Sequence, residues 1–188
     1  MRRLDEKQTV STVRRWVDSM VVGLNLCPFA RPELAKNRVR IVATEADTEE
    51  QLLLELQAEL ERLDQDASLE TTLLAHPQLL ADFGDYNQFL DLADALLVQM
   101  GLEGIYQVAS FHPDYQFDGT AADDEENFTN RSPYPLLHIL REDSLERAIA
   151  TFPDVDQIPL RNIQLMNRLG RKKLQALLQA CVSDIEQG

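Results

Sequence analysis

The chain has 188 residues, 44% of them hydrophobic and 27% charged, a balance that suits one globular domain with a real core. Its 18 basic and 32 acidic residues give a net charge of −14, which argues against nucleic acid as a partner, because neutralising phosphates needs a basic surface. No run approaches the ~20 apolar residues of a spanning helix, and MRRLDEKQTVSTVRRW lacks the apolar stretch of a signal peptide, so no membrane association and a cytoplasmic location are expected.

Residues 5–26 read as an amphipathic helix, with Val10, Val13, Trp16, Val17 and Met20 spaced by threes and fours until Gly23 and Pro28 weaken the pattern. VRIVA over 39–43 is a short strand. Asp47 or Thr48 caps a helix over 49–64 whose Leu52, Leu53, Leu56, Leu60 and Leu63 form one stripe. TTLLA (71–75) is a second strand, stopped by His76-Pro77; a helix over 83–100 follows and ends at Gly101. YQVASF (106–111) is a third strand, stopped by His112-Pro113, and LLHIL (136–140) a fourth. Ser144 caps a helix to about Phe152, Pro159 opens the last helical region, and Gly170 divides that region before an amphipathic run over 172–185.

Strands separated by single helices imply mainly parallel neighbours, with the final pair free to be antiparallel. The expected fold is α+β (or α/β): a two-layer sandwich with a mixed sheet of about four strands covered by helices, a ferredoxin-like arrangement with permuted strand order being one version. Residues 1–188 are expected to form a single globular domain, with the N-terminal helix of 1–27 and the C-terminal helices of 157–188 packed on the α/β core.

The connection over 113–133 is the most informative feature. Strand-to-strand connections are usually ~2–5 residues, and structureless ones beyond ~12–15 are typically functional or disordered. This one carries Asp114, Tyr115, the acidic run 123–126, Asn127, Asn130, Arg131 and Ser132, with Phe117 and Phe128 among them. His76 and His112 each follow a strand and precede a proline, so parallel strands would bring both imidazoles to the carboxyl edge of the sheet, where ligands of open α/β sheets bind. They are either structural caps or acid/base groups. His138 alternates with Leu137 and Ile139 and reads as a histidine satisfied between sheet and helix.

Thr129-Asn130-Arg131-Ser132 offers two hydroxyls, an amide and a guanidinium, a set that can grip a carboxylate or phosphate, and Arg141 is a candidate second clamp. The alternative for Arg131 is pairing with the 123–126 carboxylates. Cys27, just past a helix C-terminus, sits where the dipole disfavours a thiolate; it is either an inert thiol beside Phe29 or a candidate nucleophile. Cys181 falls on the apolar face of the last helix, and neither cysteine belongs to a CxxC. Asp114, Asp118 or Asp123 could join the histidines around a metal, but no HExxH or comparable spacing is present, and no metal is assigned. A Gly-rich phosphate loop is lacking, and the cofactor is left open. Arg168, Arg171, Lys172 and Lys173 form a basic cluster on the last helices.

LNLCPFA (24–30), ETTLLAHP (70–77), DFGDYNQFL (82–90), QVASFHPDYQF (107–117) and NFTNRSPYPLLHILRE (127–142) together resemble an uncharacterised bacterial family, domain of unknown function 1415, over about residues 10–150. The resemblance implies a single-domain cytosolic protein and strengthens FHPDY and NRSPYP as site candidates, without transferring a catalytic residue.

The leading expectation is an enzyme acting on a small anionic metabolite. His112 or His76 serves as general acid/base, since an imidazole with a pKa of ~6.5 suits proton transfer near neutrality. Asp114 or Asp85 orients an imidazole, Arg131 and Arg141 hold the charge, Tyr115, Asn130 and Ser132 position the substrate, and the loop excludes water. The alternatives are a non-catalytic interaction module presenting the loop and its acidic run, and a histidine-containing metalloprotein.

Overall fold

The computed structural model describes residues 5–183. The first apolar stripe forms α1 (Glu6–Trp16), N-capped by Asp5, and runs on as a π-helical turn over Val17–Val22. The turn closes at Gly23, whose N–H reaches the Asp18 carbonyl (3.0 Å) and where a Cβ would collide with the Ser19 carbonyl oxygen, so only glycine fits. A short helix that the sequence reading missed, α2 (Ala30–Ala35), precedes β1 (Val39–Ala43). Then come α3 (Glu49–Gln65), β2 (Thr71–Ala75), α4 (Phe83–Gln99) and β3 (Tyr106–Phe111). Thr48 caps α3 by accepting from the Gln51 N–H, and Asp82 caps α4 by accepting from Gly84 and Asp85.

After the long connection, which holds one 3₁₀ turn over Glu125–Thr129, come β4 (Leu136–Arg141) and α5 (Glu142–Thr151). Helix α5 begins two residues before Ser144, and Ser144 Oγ instead accepts from Arg147. Pro159 stands in the first turn of α6 (Ile158–Leu169), and Gly170 separates it from α7 (Arg171–Ser183). The expected continuation of this last helix to residue 185 lies outside the described residues.

The four strands form one mixed sheet in the order β1-β2-β4-β3. β1 and β2 pair in parallel, and β4 runs antiparallel to both its neighbours, β2 and β3. The expectation of mainly parallel neighbours is corrected: only β1 and β2 pair in parallel, because β4 enters between β2 and β3. Its Leu136, Leu137 and Ile139 are all fully buried, and a strand this apolar on both faces is most stable with a partner on each side.

Alternation along the strands divides the core. Leu74, Leu137, Ile139 and Tyr106 face α3 and α4, where Leu52, Leu56, Leu60, Leu63, Phe89 and Ala93 complete the layer. Leu73, Ala75 and Leu136 face the other way, onto Val13, Trp16, Val17 and Met20 of the N-terminal helix and Cys181 of α7. The α+β two-layer core is thus as expected, with terminal helices on its second face. A third cluster, Leu26, Phe128, Met166 and Leu174, joins the chain before α2 to the long connection and the C-terminal helices.

One ion pair ties the edge strand to its covering helix. Arg40 of β1 donates to Glu59 of α3 through Nε (2.7 Å) and Nη2 (3.0 Å), and the Glu59 side chain is only 6% exposed. Removing one partner strands a charge in a largely desolvated place, although the part-exposed arginine can still reach water. Glu59→Ala is therefore expected to cost about 2 kcal/mol, read as a lower urea midpoint at constant m-value. A midpoint within error of the parent would show that the pair contributes nothing.

Candidate functional site

Because β1, β2 and β3 point one way and β4 the other, the sheet has two chemically different ends. At the carboxyl end, His76 and His112 leave β2 and β3, on either side of β4, and come together around Tyr86: the His76 ring stacks on it at 5.8 Å between centroids, and His112 tilts against it at 5.1 Å. Both histidines are fully buried. His112 Nε2 lies 3.0 Å from the Leu80 carbonyl and Nδ1 lies 3.0 Å from the Asp114 backbone N–H. A carbonyl only accepts and a backbone N–H only donates, so Nε2 carries the proton and both nitrogens are committed. His76 Nδ1 likewise donates to the Leu79 carbonyl (3.1 Å), while its Nε2 is buried without a hydrogen-bond partner among the described residues. The two imidazoles hold the turn after β2, in which Leu80 adopts the left-handed conformation (φ 58°). Burial pulls the His76 pKa down to about 4, with His112 adding to the effect, and pulls His112 down as well.

The long connection spends its polar groups on its own backbone. Asn127 is fully buried; its Oδ1 accepts from the Phe117 N–H (2.9 Å) and Thr120 Oγ1 (2.9 Å), and its Nδ2 donates to Ala121 (2.8 Å). Arg131 donates from Nε to the Tyr115 carbonyl (3.2 Å) and from Nη2 to the Ala122 carbonyl (2.6 Å), with its guanidinium 4.7 Å above the Phe128 ring. It does not pair with the acidic run; Asp123 instead meets Arg171 of α7 at 3.6 Å. Asn130 donates to Ser110, and Ser132 to the Tyr134 carbonyl. Tyr115 packs between Phe83 and Phe117, and Asp85 is exposed in the first turn of α4. Asp114, Arg131 and Ser132 share a groove of about 600 Å3 against α7, whereas the two buried histidines lie outside it.

A larger cleft, about 760 Å3, opens at the amino end of the sheet. His138 of β4, Thr71 of β2, and Arg38 and Glu70 just before β1 and β2 form one side, the turn Cys27-Pro28-Phe29 another, and α5 with Phe152 a third. The register places this set: His138 lies opposite Leu73 of β2 and Ala109 of β3. Thr71 Oγ1 gives its single proton to the Ile139 carbonyl (2.6 Å), so across 2.8 Å it must accept from His138 Nε2–H, which leaves Nδ1 as the basic nitrogen. Desolvation brings this imidazole to about 4. Burial pushes the Cys27 thiol up, opposed by the backbone N–H groups of Phe29 and Ala30. The N–H groups of the α2 entry thus oppose, without overcoming, the effect of burial on this thiol.

Arg38 is held by Glu33 (3.0 Å) and Glu70 (2.5 Å). Arg141 also lines the cleft, but it donates to the Leu63 and Leu69 carbonyls and to Tyr106 Oη, fastening the end of α3 to the sheet. Three arginines (Arg38, Arg141, Arg147) and two glutamates (Glu33, Glu70) line the cleft, a formal surplus of one positive charge, with Arg38 paired to both glutamates and Arg147 meeting the exposed Asp143 at 3.6 Å. Arg38, Glu70 and Thr71 escaped the sequence reading, although residues preceding parallel neighbours must fall side by side. Among the described residues, no three His, Cys, Asp or Glu side chains gather closely enough to hold a metal ion, and no helix is long and apolar enough to cross a membrane.

Fold and cleft together define an α+β protein with a mixed four-stranded sheet and a thiol–imidazole cleft at its amino end. The chain belongs to a family of proteins of unknown function (DUF1415), whose model matches residues 8–176. Searches of curated proteins and of solved structures gave no match.

The buried His76 makes acid stability testable. Its folded-state pKa of about 4 lies below the ordinary 6.5, so an unfolded chain binds a proton that the folded one refuses. Stability is then full above pH 6.5, falls as pH drops toward 4, and levels off below; the loss is about 3 kcal/mol. His76→Gln should remove this part of the decline, seen as a smaller drop in unfolding free energy from pH 7 to 4. Parallel curves for the two proteins would contradict the assignment.

Proposed function

We propose that this protein is an enzyme acting on a small anionic molecule in the amino-end cleft, with Cys27 as nucleophile and His138 as acid/base group. The observation that carries this reading is that a part-exposed thiol and a part-exposed imidazole, from distant parts of the chain, line one cavity whose lining has one more arginine than glutamate. The expected roles of His76 and His112 pass to His138, since both are sealed and His112 has no free nitrogen. The expected anionic substrate is retained, now on the charge of the cleft. Apolar walls from Phe29, Leu140, Leu145 and Phe152 suit a ligand whose body is largely hydrocarbon.

At neutral pH both groups rest uncharged: burial holds the thiol protonated and the imidazole unprotonated. An imidazole at about 4 is a weak base. A bound anion raises its proton affinity by Coulomb attraction, so the substrate itself favours transfer of the thiol proton to His138 Nδ1. The resulting thiolate is received by the N–H groups of Phe29 and Ala30. Arg147, whose only carboxylate partner among the described residues is the exposed Asp143 at 3.6 Å, stands on the cleft wall to hold the substrate charge.

The reading is tested with iodoacetamide and a panel of small carboxylates. Cys27 in the free protein should alkylate slowly at pH 7, with a pH–rate midpoint above the ordinary thiol value of 9.0, while Cys181, 3% exposed, stays unlabelled. A carboxylate that raises the melting temperature should shield Cys27. Cys27→Ser should then keep binding but abolish turnover of that compound, and His138→Asn should lower turnover by about 100-fold or more. Full turnover in both variants would sink the proposal; binding without turnover in the parent would make the cleft a non-catalytic site.

A further inference from the structure

His138 differs from the other two histidines in what fixes its proton. His76 and His112 donate to backbone carbonyls of the turn after β2, whereas His138 Nε2 faces a side chain, the Thr71 hydroxyl, at 2.8 Å. The sheet register makes this pair. Thr71 lies opposite Leu140 and His138 opposite Leu73, so the two are diagonal neighbours on one face of β2 and β4. The hydroxyl has no second choice of role: its proton goes to the Ile139 carbonyl at 2.6 Å, and β-branching restricts its χ1. Thr71 is 8% exposed, so water does not compete freely for it. Phe111 tilts against the His138 ring at 5.9 Å and is itself met edge-on by Trp16 at 5.3 Å. The neighbouring carboxylate, Glu70, is taken by Arg38.

We propose that Thr71 is the positioning residue of His138, an uncharged third member behind Cys27 and His138: its hydroxyl holds the ring, keeps the proton on Nε2 and leaves Nδ1 to exchange protons in the cleft. The placement of the ring stands on the geometry alone, while its use in catalysis rests on the enzyme reading given above. In nucleophile–base pairs the base is oriented by a third group, and a carboxylate in that place also stabilises the imidazolium. A hydroxyl whose own proton is committed orients the ring but adds no negative charge. The base therefore depends on charge brought by the substrate. Nε2 is closed to proton transfer, so every proton moves through Nδ1.

The test is an NMR spectrum of the imidazole nitrogens at pH 7 for the parent, Thr71→Val and Thr71→Ser, with His138→Asn identifying the ring signals. The parent and Thr71→Ser should carry the His138 proton on Nε2. Thr71→Val keeps the shape but offers no acceptor, and should move a substantial share of that proton to Nδ1. The signals of His76 and His112 should not move, which reports that the variants are folded. For a compound that the parent turns over, Thr71→Val should lower kcat about tenfold with KM little changed, and Thr71→Ser should restore most of it. A His138 proton on Nδ1 in the parent overturns the proposal, and this measurement stands even where Thr71→Val does not fold. A folded Thr71→Val with the parent's tautomer and kcat overturns it equally. A shifted tautomer in Thr71→Val, with no turnover by the parent of any compound, supports the positioning and sinks the enzyme reading alone.

Discussion

The insertion of β4 between β2 and β3 is the constraint on which the rest of the structure depends. Leu136, Leu137 and Ile139 are fully buried and lie on both faces of the strand, so it needs a neighbour on each edge and apolar cover on each side, which is incomplete only at His138 and Leu140 beside the cleft. The chain arrives from the end of β3 and must turn back, which makes β4 antiparallel to both neighbours. It therefore enters at the carboxyl end of the sheet and leaves at the amino end. That asymmetry closes one end and opens the other. The 113–133 connection packs over the entry, while the exit delivers Arg141 and α5 to the rim of the cleft.

The two ends solve the problem of buried polar groups in opposite ways. At the closed end nearly every polar side chain is answered locally. Asn127 organises the connection from its centre, His112 uses both nitrogens, and Tyr86 Oη bridges the Leu136 carbonyl (2.8 Å) and the Phe111 N–H (3.1 Å). Groups satisfied in this way are matched to one arrangement and have little left for a ligand. At the open end the thiol of Cys27 and Nδ1 of His138 keep unused capacity beside a cavity. Capacity near space, rather than the density of reactive residue types, distinguishes a site from a well-made connection.

Much of the fold was legible because it rests on local patterns. The stripe of Leu52, Leu56, Leu60 and Leu63, the caps at Thr48 and Asp82, and the prolines after His76 and His112 each report on a few neighbouring residues. The convergence of His76 and His112 at one edge was legible too, since it follows from parallel strands. What was not legible is what those imidazoles do there, because the carbonyls of Leu79 and Leu80 that consume them belong to an unremarkable turn. The cleft was hidden for a different reason. Its residues flank strand starts and a short helix with no strong periodic signal, and they meet only through the β2–β4 register. His138 read as a sheet-layer histidine because alternation reveals a face but not whether that face is fully covered.

The position of Cys27 follows from a longer chain of support than its local sequence suggests. The π-helical turn and Gly23 end α1 early, and Asn25 takes the left-handed conformation (φ 54°), so the chain reverses just before the thiol. Leu26 is then drawn into the cluster with Phe128, Met166 and Leu174, and its carbonyl accepts from Asn162 Nδ2 at 3.0 Å. Phe128 is the ring beneath Arg131. One packed cluster therefore joins the residue preceding the thiol to the arginine of the opposite groove, and close-packed interiors pass displacement rather than absorb it. The terminal helices matter to the cleft for this reason: they do not line its floor, but they hold the turn that brings Cys27 to it.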